Sequence, residues 1–394
     1  MFPISLPPAG RALTVGLATA LVAALALGGC SSAPKVALKT PAAPTTTVVP
    51  APAPFTATGV PAALAAVIRP LYFGGAVPAS AAAATALLKR KPVNAAGPVV
   101  VSGALASWKG VPIAVLTSGK DVTLAVAAPR WKVVGGWWPS IGLSAPSVGG
   151  VRRVLVVGSD ARPGQVVDRS RGDSLHIVGF DGHGGGGVLG IPRDSYVPLA
   201  TGGRGKINSA LTFGGAGALQ QTVVSLTGVP LEGYLITGFD GFQRIIDGIG
   251  GLPVNAPVAV HDTMSGANLR AGANKLNGGQ ALAYGRARHA VAGGDFGRSA
   301  NQGRIIMAAA GFAKLAGPAR LPGILAMAAP SIGTNLSAEQ VLTLAAGAYV
   351  TDPNRVHNRV AIGGFGMTSD GQSIVLLDAT ARAMFADIRD GNLS

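Results

Sequence analysis

The sequence predicts an α/β fold preceded by a smaller β-rich module. Three observations carry that reading. From Val151 onward, short apolar runs typical of strands alternate with stretches of helical period, and such interleaving defines the α/β class. Glycines sit where those helices should end, at Gly228 and at Gly250-Gly251. A hydrophobic content of 48% over 394 residues is ample for a packed core in one large domain or two smaller ones.

Residues 1–30 have the layout of a secretory signal. Arg11 and the amino terminus are basic, Leu13 to Leu27 is apolar, and Leu27-Gly28-Gly29-Cys30 resembles a bacterial lipobox. The apolar run is short for a membrane span and ends in two glycines, which favours lipidation at Cys30 over an uncleaved anchor helix. In either case the rest of the chain faces the outside of the cytoplasmic membrane. Cys30 is the single cysteine, so no intramolecular disulfide is possible. Residues 31–55 are rich in Pro, Ala and Thr and read as a semi-extended tether.

Residues 56–150 form the accessory module. VPAALAAVI and SAAAATALLKR read as short helices. Three strands come next, broken by turns at Lys109-Gly110 and Ser118-Gly119-Lys120. Trp131, Trp137 and Trp138 cluster behind them, in a packing role. The main domain is placed at residues 151–394. VRRVLVVG is a buried strand, and SLHIVGF and GVLGIP flank the Asp181–Gly187 turn as a hairpin. Helices are expected over Ala216–Leu226, Gly241–Ile249, Gln280–Tyr284 and Asp295–Leu315, with an extended Arg-rich stretch after Tyr284. Ser337 and Gln340 make a capping box for a further helix, and a final strand SIVLLD and helix ATARAMFADIRDG close the chain.

The net charge of +15 draws the chain toward polyanions. The arginines are scattered, with neither a basic run nor an aromatic-interleaved basic stretch, so nucleic acid is not the expected partner. No G-x-S-x-G is present, the five His stand apart from one another, and no Lys-Ser/Thr follows the Gly182–Gly187 run. A nucleophile-elbow hydrolase, a zinc site and a P-loop are therefore unsupported.

What remains is Arg beside carboxylate, repeated in a chain that is only 12% charged. Residues 158–173, GSDARPGQVVDRSRGD, hold Asp160, Arg171 and Asp173. IPRDSYV holds Arg193 and Asp194, and RGKIN holds Lys206 and Asn208. YGRARH holds Arg286 and Arg288, and GGDFGRSANQ holds Asp295, Arg298 and Gln302. Residues two apart in extended chain share a side, which aims Arg286 and Arg288 at one point. Residues four apart on a helix share a face, which sets Arg298 beside Gln302. Clustered guanidiniums repel unless an anion bridges them, and phosphate suits their planar fork. Carboxylates beside such an anion call for a divalent cation, and hard oxygens with phosphate are the Mg²⁺ pattern. Taken singly, each group has a plain reading: Asp160 capping a turn, Asp295 as a helix N-cap, Arg193-Asp194 as a surface pair, Lys206 as a solvated charge.

GSDAR, RGDS, IPRDSYV, KINSALTFGG, GFQRIIDGIGGLPV, LNGGQALAYGRARH, DFGRSANQ and TNLS occur in that order. The ordered set resembles the LytR–CpsA–Psr family of bacterial cell-envelope proteins, densely from Val154 to about Leu315 and more thinly from Thr334 onward. The resemblance implies a central mixed β-sheet flanked by helices, an αβα sandwich. It implies transfer of a glycopolymer phosphate from a polyprenyl-pyrophosphate carrier to peptidoglycan, outside the membrane, with Mg²⁺. Carried over by motif, Asp160 and Asp173 would bind the metal and Arg171 would stabilise charge at phosphorus. Arg193, Lys206, Asn208, Arg286, Arg288, Arg298 and Gln302 would hold the pyrophosphate, and Asp295 matches a further acidic position near the headgroup. The chain departs from the family at Gly172, where Ser is usual, and at Asn301, where Arg is frequent. The GC-rich coding bias of the composition points to an actinobacterium, with arabinogalactan as the expected cargo. The competing expectation is a non-catalytic regulator that binds lipid-linked glycan or anionic lipid.

Overall fold

The computed structural model describes residues 54–91, 97–289 and 291–394. The signal, Cys30 and nearly all of the tether lie outside the described residues. Among those described, no helix is long and apolar enough to cross a membrane.

The described residues open with strand β1 (Phe55–Thr58) and helices α1 (Ala62–Phe73) and α2 (Ala81–Leu87). An antiparallel run comes next: β2 (Val99–Trp108), β3 (Val111–Ser118), β4 (Asp121–Ala127), β5 (Trp131–Trp138) and β6 (Leu143–Ser147). β1 joins this run alongside β2 in parallel. The β2–β3 turn is the expected Lys109-Gly110. Both residues have positive φ, 47° and 87°, as a two-residue hairpin loop matched to strand twist requires.

The central sheet is mixed, as the resemblance implies. β7 (Arg152–Ser159), β8 (Gly172–Phe180) and β9 (Gly186–Gly190) are antiparallel neighbours. A small hairpin of β10 (Tyr196–Pro198) and β11 (Arg204–Lys206) leads into α3 (Ser209–Thr227). β12 (Tyr234–Thr237) adds in parallel to β7 and is followed by α4 (Phe239–Gly248). Two further hairpins pair β13 (Leu252–Ala256) with β16 (Gly272–Leu276) and β14 (Val260–Asp262) with β15 (Ala267–Leu269). Then come α5 (Gly278–Arg286), α6 (Asp295–Ala316), α7 (Leu321–Ala328), the edge strand β17 (Gly333–Thr334) and α8 (Ala338–Val350). β18 (Val356–Val360) closes the other edge in parallel with β9. The hairpin of β19 (Gly363–Met367) and β20 (Ser373–Leu377) and helix α9 (Ala379–Asp387) end the chain.

Side-chain alternation decides the layering. In the central sheet Leu155, Val157, Ile177 and Leu189 face α3 and α9, while Val154, Val178 and Val188 face α6, α7 and α8. In the N-terminal sheet Ile113, Val115 and Leu124 face the same α7–α8 layer, and Ala114, Leu116 and Ala125 face α1 and α2. Both sheets are therefore covered on both faces, which is why their strands read as near-continuous apolar runs. The N-terminal sheet shares one core with the helices of the main domain. The Trp137 ring stacks on Tyr349 at 5.7 Å, and Lys132 pairs with Glu339 at 2.7 Å. Trp138 is fully buried, with Nε1 donating to Thr123 Oγ1 at 2.8 Å.

Several boundaries differ from expectation. α3 begins at Ser209, ahead of the expected Ala216. Gly215 kinks it with φ 75°, and the Asp168 carboxylate accepts the Ala216 N–H, capping the second segment. The stretch after Tyr284 is helical through Arg286 and becomes extended only at Ala287. Strands β5 and β6 and the short hairpins carry too little periodicity to be read locally. The Ser337–Gln340 capping box forms as expected.

Candidate functional site

The ends of β7 and β8 and the termini of α4, α5 and α6 converge on a cavity of about 300 Å³. Its polar end is lined by Asp173, Arg193, Arg286, Arg288, Arg298 and Gln302. Val156, Phe239, Phe242, Leu282, Ile305 and Ile306 line the rest. Charged and polar residues from separated motifs thus share one socket, and the sequence spacing accounts for one of its pairings, since the extended chain expected at Arg286 is helix. Arg298 and Gln302 lie one turn apart on α6. Arg286 and Arg288 both reach the cavity, although Arg286 does so from the last turn of α5 rather than from extended chain.

Carboxylates hold most of these cations. Asp173 Oδ2 pairs with Arg193 Nη1. Asp194 binds Arg193 Nε at 3.6 Å and Lys206 Nζ at 3.1 Å. Asp295 Oδ1 receives Arg288 Nη2 at 2.6 Å and Arg298 Nη2 at 2.8 Å. Arg286 has no carboxylate within ion-pair distance among the described residues; its guanidinium lies 5.2 Å from the centre of the Phe239 ring. Burial, and then repulsion from Arg193 and Arg288, lower Arg298 to about 10 against the help of Asp295 and Asp173. It stays charged at neutral pH. Burial opposes the charge on Arg193 as well, but Asp173, Asp194 and Asp295 outweigh it and raise that group.

The other sequence-derived residues lie around this socket rather than in its lining. Asp160 follows Ser159, which lines the cavity. The Arg171 N–H donates to Asp160 Oδ1 at 2.8 Å, and the Asp160 N–H donates to the Arg171 carbonyl at 2.9 Å. Asp160 therefore closes the loop of residues 160–171 and leaves the Arg171 side chain exposed. Lys206 is held on Asp194. Asn208 is buried at the start of α3. Its backbone N–H donates to the Arg193 carbonyl at 3.2 Å and its carbonyl accepts from Gly172 at 3.4 Å, so its contribution is to the frame. Asp295 is the first helical residue of α6 and makes no cap hydrogen bond; its carboxylate serves the two arginines.

Three groups escaped sequence reasoning. Asp262 Oδ2 accepts the N–H groups of Arg288 at 2.7 Å and His289 at 3.0 Å, fixing the loop that carries Arg288. Those bonds, the Arg288 one foremost, hold its carboxyl below the ordinary range. Ser174 lines the cavity, and its Oγ lies 3.2 Å from His176 Nδ1. His176 is fully buried, which lowers its imidazole to about 4. Phe239 and Phe242 line the cavity from α4, where spacing alone marks only a packed helix face. Three polar atoms of the socket are buried without a hydrogen-bond partner: Asp173 Oδ1, Arg193 Nε and Arg298 Nε. Each has hydrogen-bonding capacity that the protein itself leaves unmet.

The family model for the LytR_cpsA_psr family matches residues 140–388. The chain belongs to that family. Among its relatives, the probable cell wall biosynthesis protein LcpB of Corynebacterium glutamicum is 30% identical over 60% of this chain and 60% of its own length. A protein of Bacillus cereus named polyisoprenyl-teichoic acid–peptidoglycan teichoic acid transferase TagU is 32% identical over 48% of this chain and 62% of its own length. The chain thus spans about 60% of the length of these curated relatives. The crystal structure of Bacillus subtilis TagV superposes with a TM-score of 0.52 at 28% identity, covering 61% of this chain and 98% of that one. The LytR_cpsA_psr match takes in the central sheet and the whole socket, and leaves strands β1 to β5 outside.

Proposed function

We propose that this LytR_cpsA_psr protein transfers a phosphate-linked glycopolymer from a polyprenyl-pyrophosphate carrier to peptidoglycan at the outer face of the cell membrane. One observation carries the reading: a single cavity joins a guanidinium socket to an apolar interior. That shape suits an amphiphile with a multiply charged anionic head. The names of the TagU and TagV relatives support the reaction class.

In this reading Arg193, Arg286, Arg288 and Arg298 hold the diphosphate, with Gln302 donating beside them. The apolar wall of Phe242, Leu282, Ile305 and Ile306 receives the prenyl chain next to the headgroup. Attack on a diphosphate is limited by charge, on the approaching oxygen and on the leaving group. Fixed donors aimed at that charge lower the barrier, each contributing on the order of 100-fold or more. Arg171, exposed at the rim, is free to swing onto the reacting phosphorus.

The donor set fits a hard divalent cation. Asp173 Oδ1 is buried and unpartnered, and Asp160 stands on the adjoining loop. No group of three or more His, Cys, Asp or Glu able to hold a metal occurs among the described residues. Mg²⁺, which keeps waters and takes one or two carboxylates together with substrate phosphate, is suited to so sparse a set. Bound there, it would neutralise charge on the diphosphate. A carboxylate of the same cluster would accept the proton of the attacking sugar hydroxyl. Anchoring through Cys30 and an arabinogalactan-type cargo belong to this proposal as its finer parts.

A binder without catalysis would need the arginines but would have no use for the open carboxylate at Asp173, which favours the enzyme. The deciding experiment incubates the purified chain with a polyprenyl-pyrophosphate-linked glycan, Mg²⁺ and peptidoglycan, and measures glycan made insoluble with the wall. Asp160→Ala and Arg288→Ala are expected to abolish transfer without unfolding the protein. Full transfer by either variant refutes the assignment.

A further inference from the structure

We infer that Ser174 is a neutral oxygen ligand of the divalent cation in this site, kept in that role by His176. The inference rests on the transferase reading above, since it requires a cation at Asp173.

The partners of His176 fix where its proton sits. His176 Nε2 lies 3.0 Å from the Ser299 carbonyl oxygen. A carbonyl can only accept, so Nε2 carries the ring proton. With the ring proton placed on Nε2 by that carbonyl, Nδ1 is the ring's acceptor. Nδ1 faces Ser174 Oγ at 3.2 Å, so Ser174 gives its only proton to His176. What Ser174 then offers to the cavity is lone pairs and no proton. Such an oxygen repels a phosphate oxygen and suits a cation.

The neighbouring residue offers the same thing. Asp173 Oδ2 is taken by Arg193, while Oδ1 is buried with no hydrogen-bond partner. Two consecutive residues therefore bring proton-free hard oxygens to one cavity. A site short of carboxylates must complete its shell with neutral oxygens, and a serine hydroxyl is one that Mg²⁺ accepts. A histidine behind the ligand, fixing its orientation through a hydrogen bond, is the outer-shell arrangement that tunes metal sites.

The fold makes room for this row at some cost in side chains. Gly158 is the register partner of Ser174 on β7, and a Cβ there would stand 2.9 Å from Ser174 Cβ. Gly190 is the register partner of His176 on β9, and a Cβ there would stand 2.3 Å from Ser299 Oγ and 3.1 Å from His176 Nε2. Ser174, His176 and Ser299 fit together only because both facing positions are glycine.

The test uses Mn²⁺ as the probe, titrated into the full chain and followed by electron paramagnetic resonance, with and without inorganic pyrophosphate. Asp173→Asn is the reference for loss of the site. Ser174→Ala should weaken Mn²⁺ binding about 10- to 100-fold. His176→Leu should weaken it too, because the Ser174 proton is then free to turn into the cavity. His176→Asn, whose amide oxygen can replace Nδ1 as acceptor, should recover most of that loss. Thermal unfolding of each variant separates these effects from misfolding. Wild-type Mn²⁺ affinity in Ser174→Ala, with affinity lost in Asp173→Asn, overturns the role of Ser174 and leaves the transferase reading intact. Unchanged affinity in both variants overturns the cation site itself.

Discussion

The Arg286 guanidinium lies over the face of the Phe239 ring, 5.2 Å from its centre, and is the one socket arginine without an ion-pair carboxylate among the described residues. The ring holds the cation in place without neutralising it, so its full charge remains available to an anion. A cation–π contact of this kind is worth about 0.5–2 kcal/mol. Phe239→Leu should therefore weaken binding of a polyprenyl pyrophosphate by roughly 2- to 30-fold, a range set by that energy. Arg286→Ala should weaken it more. Calorimetric titration with a short-chain prenyl pyrophosphate measures both, and equal affinities in wild type and Phe239→Leu would count against the contact.

Asp295 serves two arginines through one oxygen. Asp295→Asn removes the counter-charge of Arg288 and of the buried Arg298 together. The free protein should lose about 1–3 kcal/mol, because a buried cation left without its partner is costly. Pyrophosphate should raise the melting temperature of Asp295→Asn more than that of wild type, since the anion replaces the missing charge. Paired thermal melts with and without pyrophosphate check both halves.

His176 predicts an acid-sensitive fold. Burial lowers its folded value from 6.5 to about 4. Between those limits the unfolded chain binds a proton that the folded chain does not. Its contribution is fully present above pH 6.5 and is lost as pH falls toward 4, amounting to about 3 kcal/mol over that window. Denaturant titrations at about pH 7.5, 6, 5 and 4.5 should show the decline. In His176→Leu that part of the slope should vanish.

The N-terminal sheet is structural to the whole. Ile113, Val115 and Leu124 cover the α7–α8 layer that also packs on the central sheet. Deleting residues 54–147 would uncover the apolar face of α7 and α8 on which that sheet packs, and large exposed apolar patches drive aggregation. The truncated chain should bind a hydrophobic dye and aggregate, whereas Lys132→Ala, which breaks one partly exposed pair with Glu339, should change stability by no more than about 1 kcal/mol. Size-exclusion chromatography and dye fluorescence distinguish the two.

Much of the site was legible in the sequence because its residues are chemically out of place. Arg193, Arg286, Arg288, Arg298 and Asp173 are charges in a charge-poor chain, and all five line one cavity. Lys206 and Asp160 stood out for the same reason, and Asn208 through the motif it shares with Lys206, but a linear motif cannot separate a lining side chain from one that braces the frame. His176 was invisible as a partner: a lone histidine on a strand has no local signal for the Ser299 carbonyl, 123 positions away, that fixes its proton. Asp262 is likewise 26 residues from the Arg288 N–H it holds.

Periodicity, caps and residue type are local properties, and they were enough to establish the α/β class, the order of most elements and most of the charged residues of the cavity. Which charges converge, which are neutralised by neighbours, and that the N-terminal sheet shares the core of the main domain emerged with the folded chain. Those relationships depend on packing between segments far apart in the chain, where burial sets the strength of every charge and hydrogen bond, and no local pattern records it.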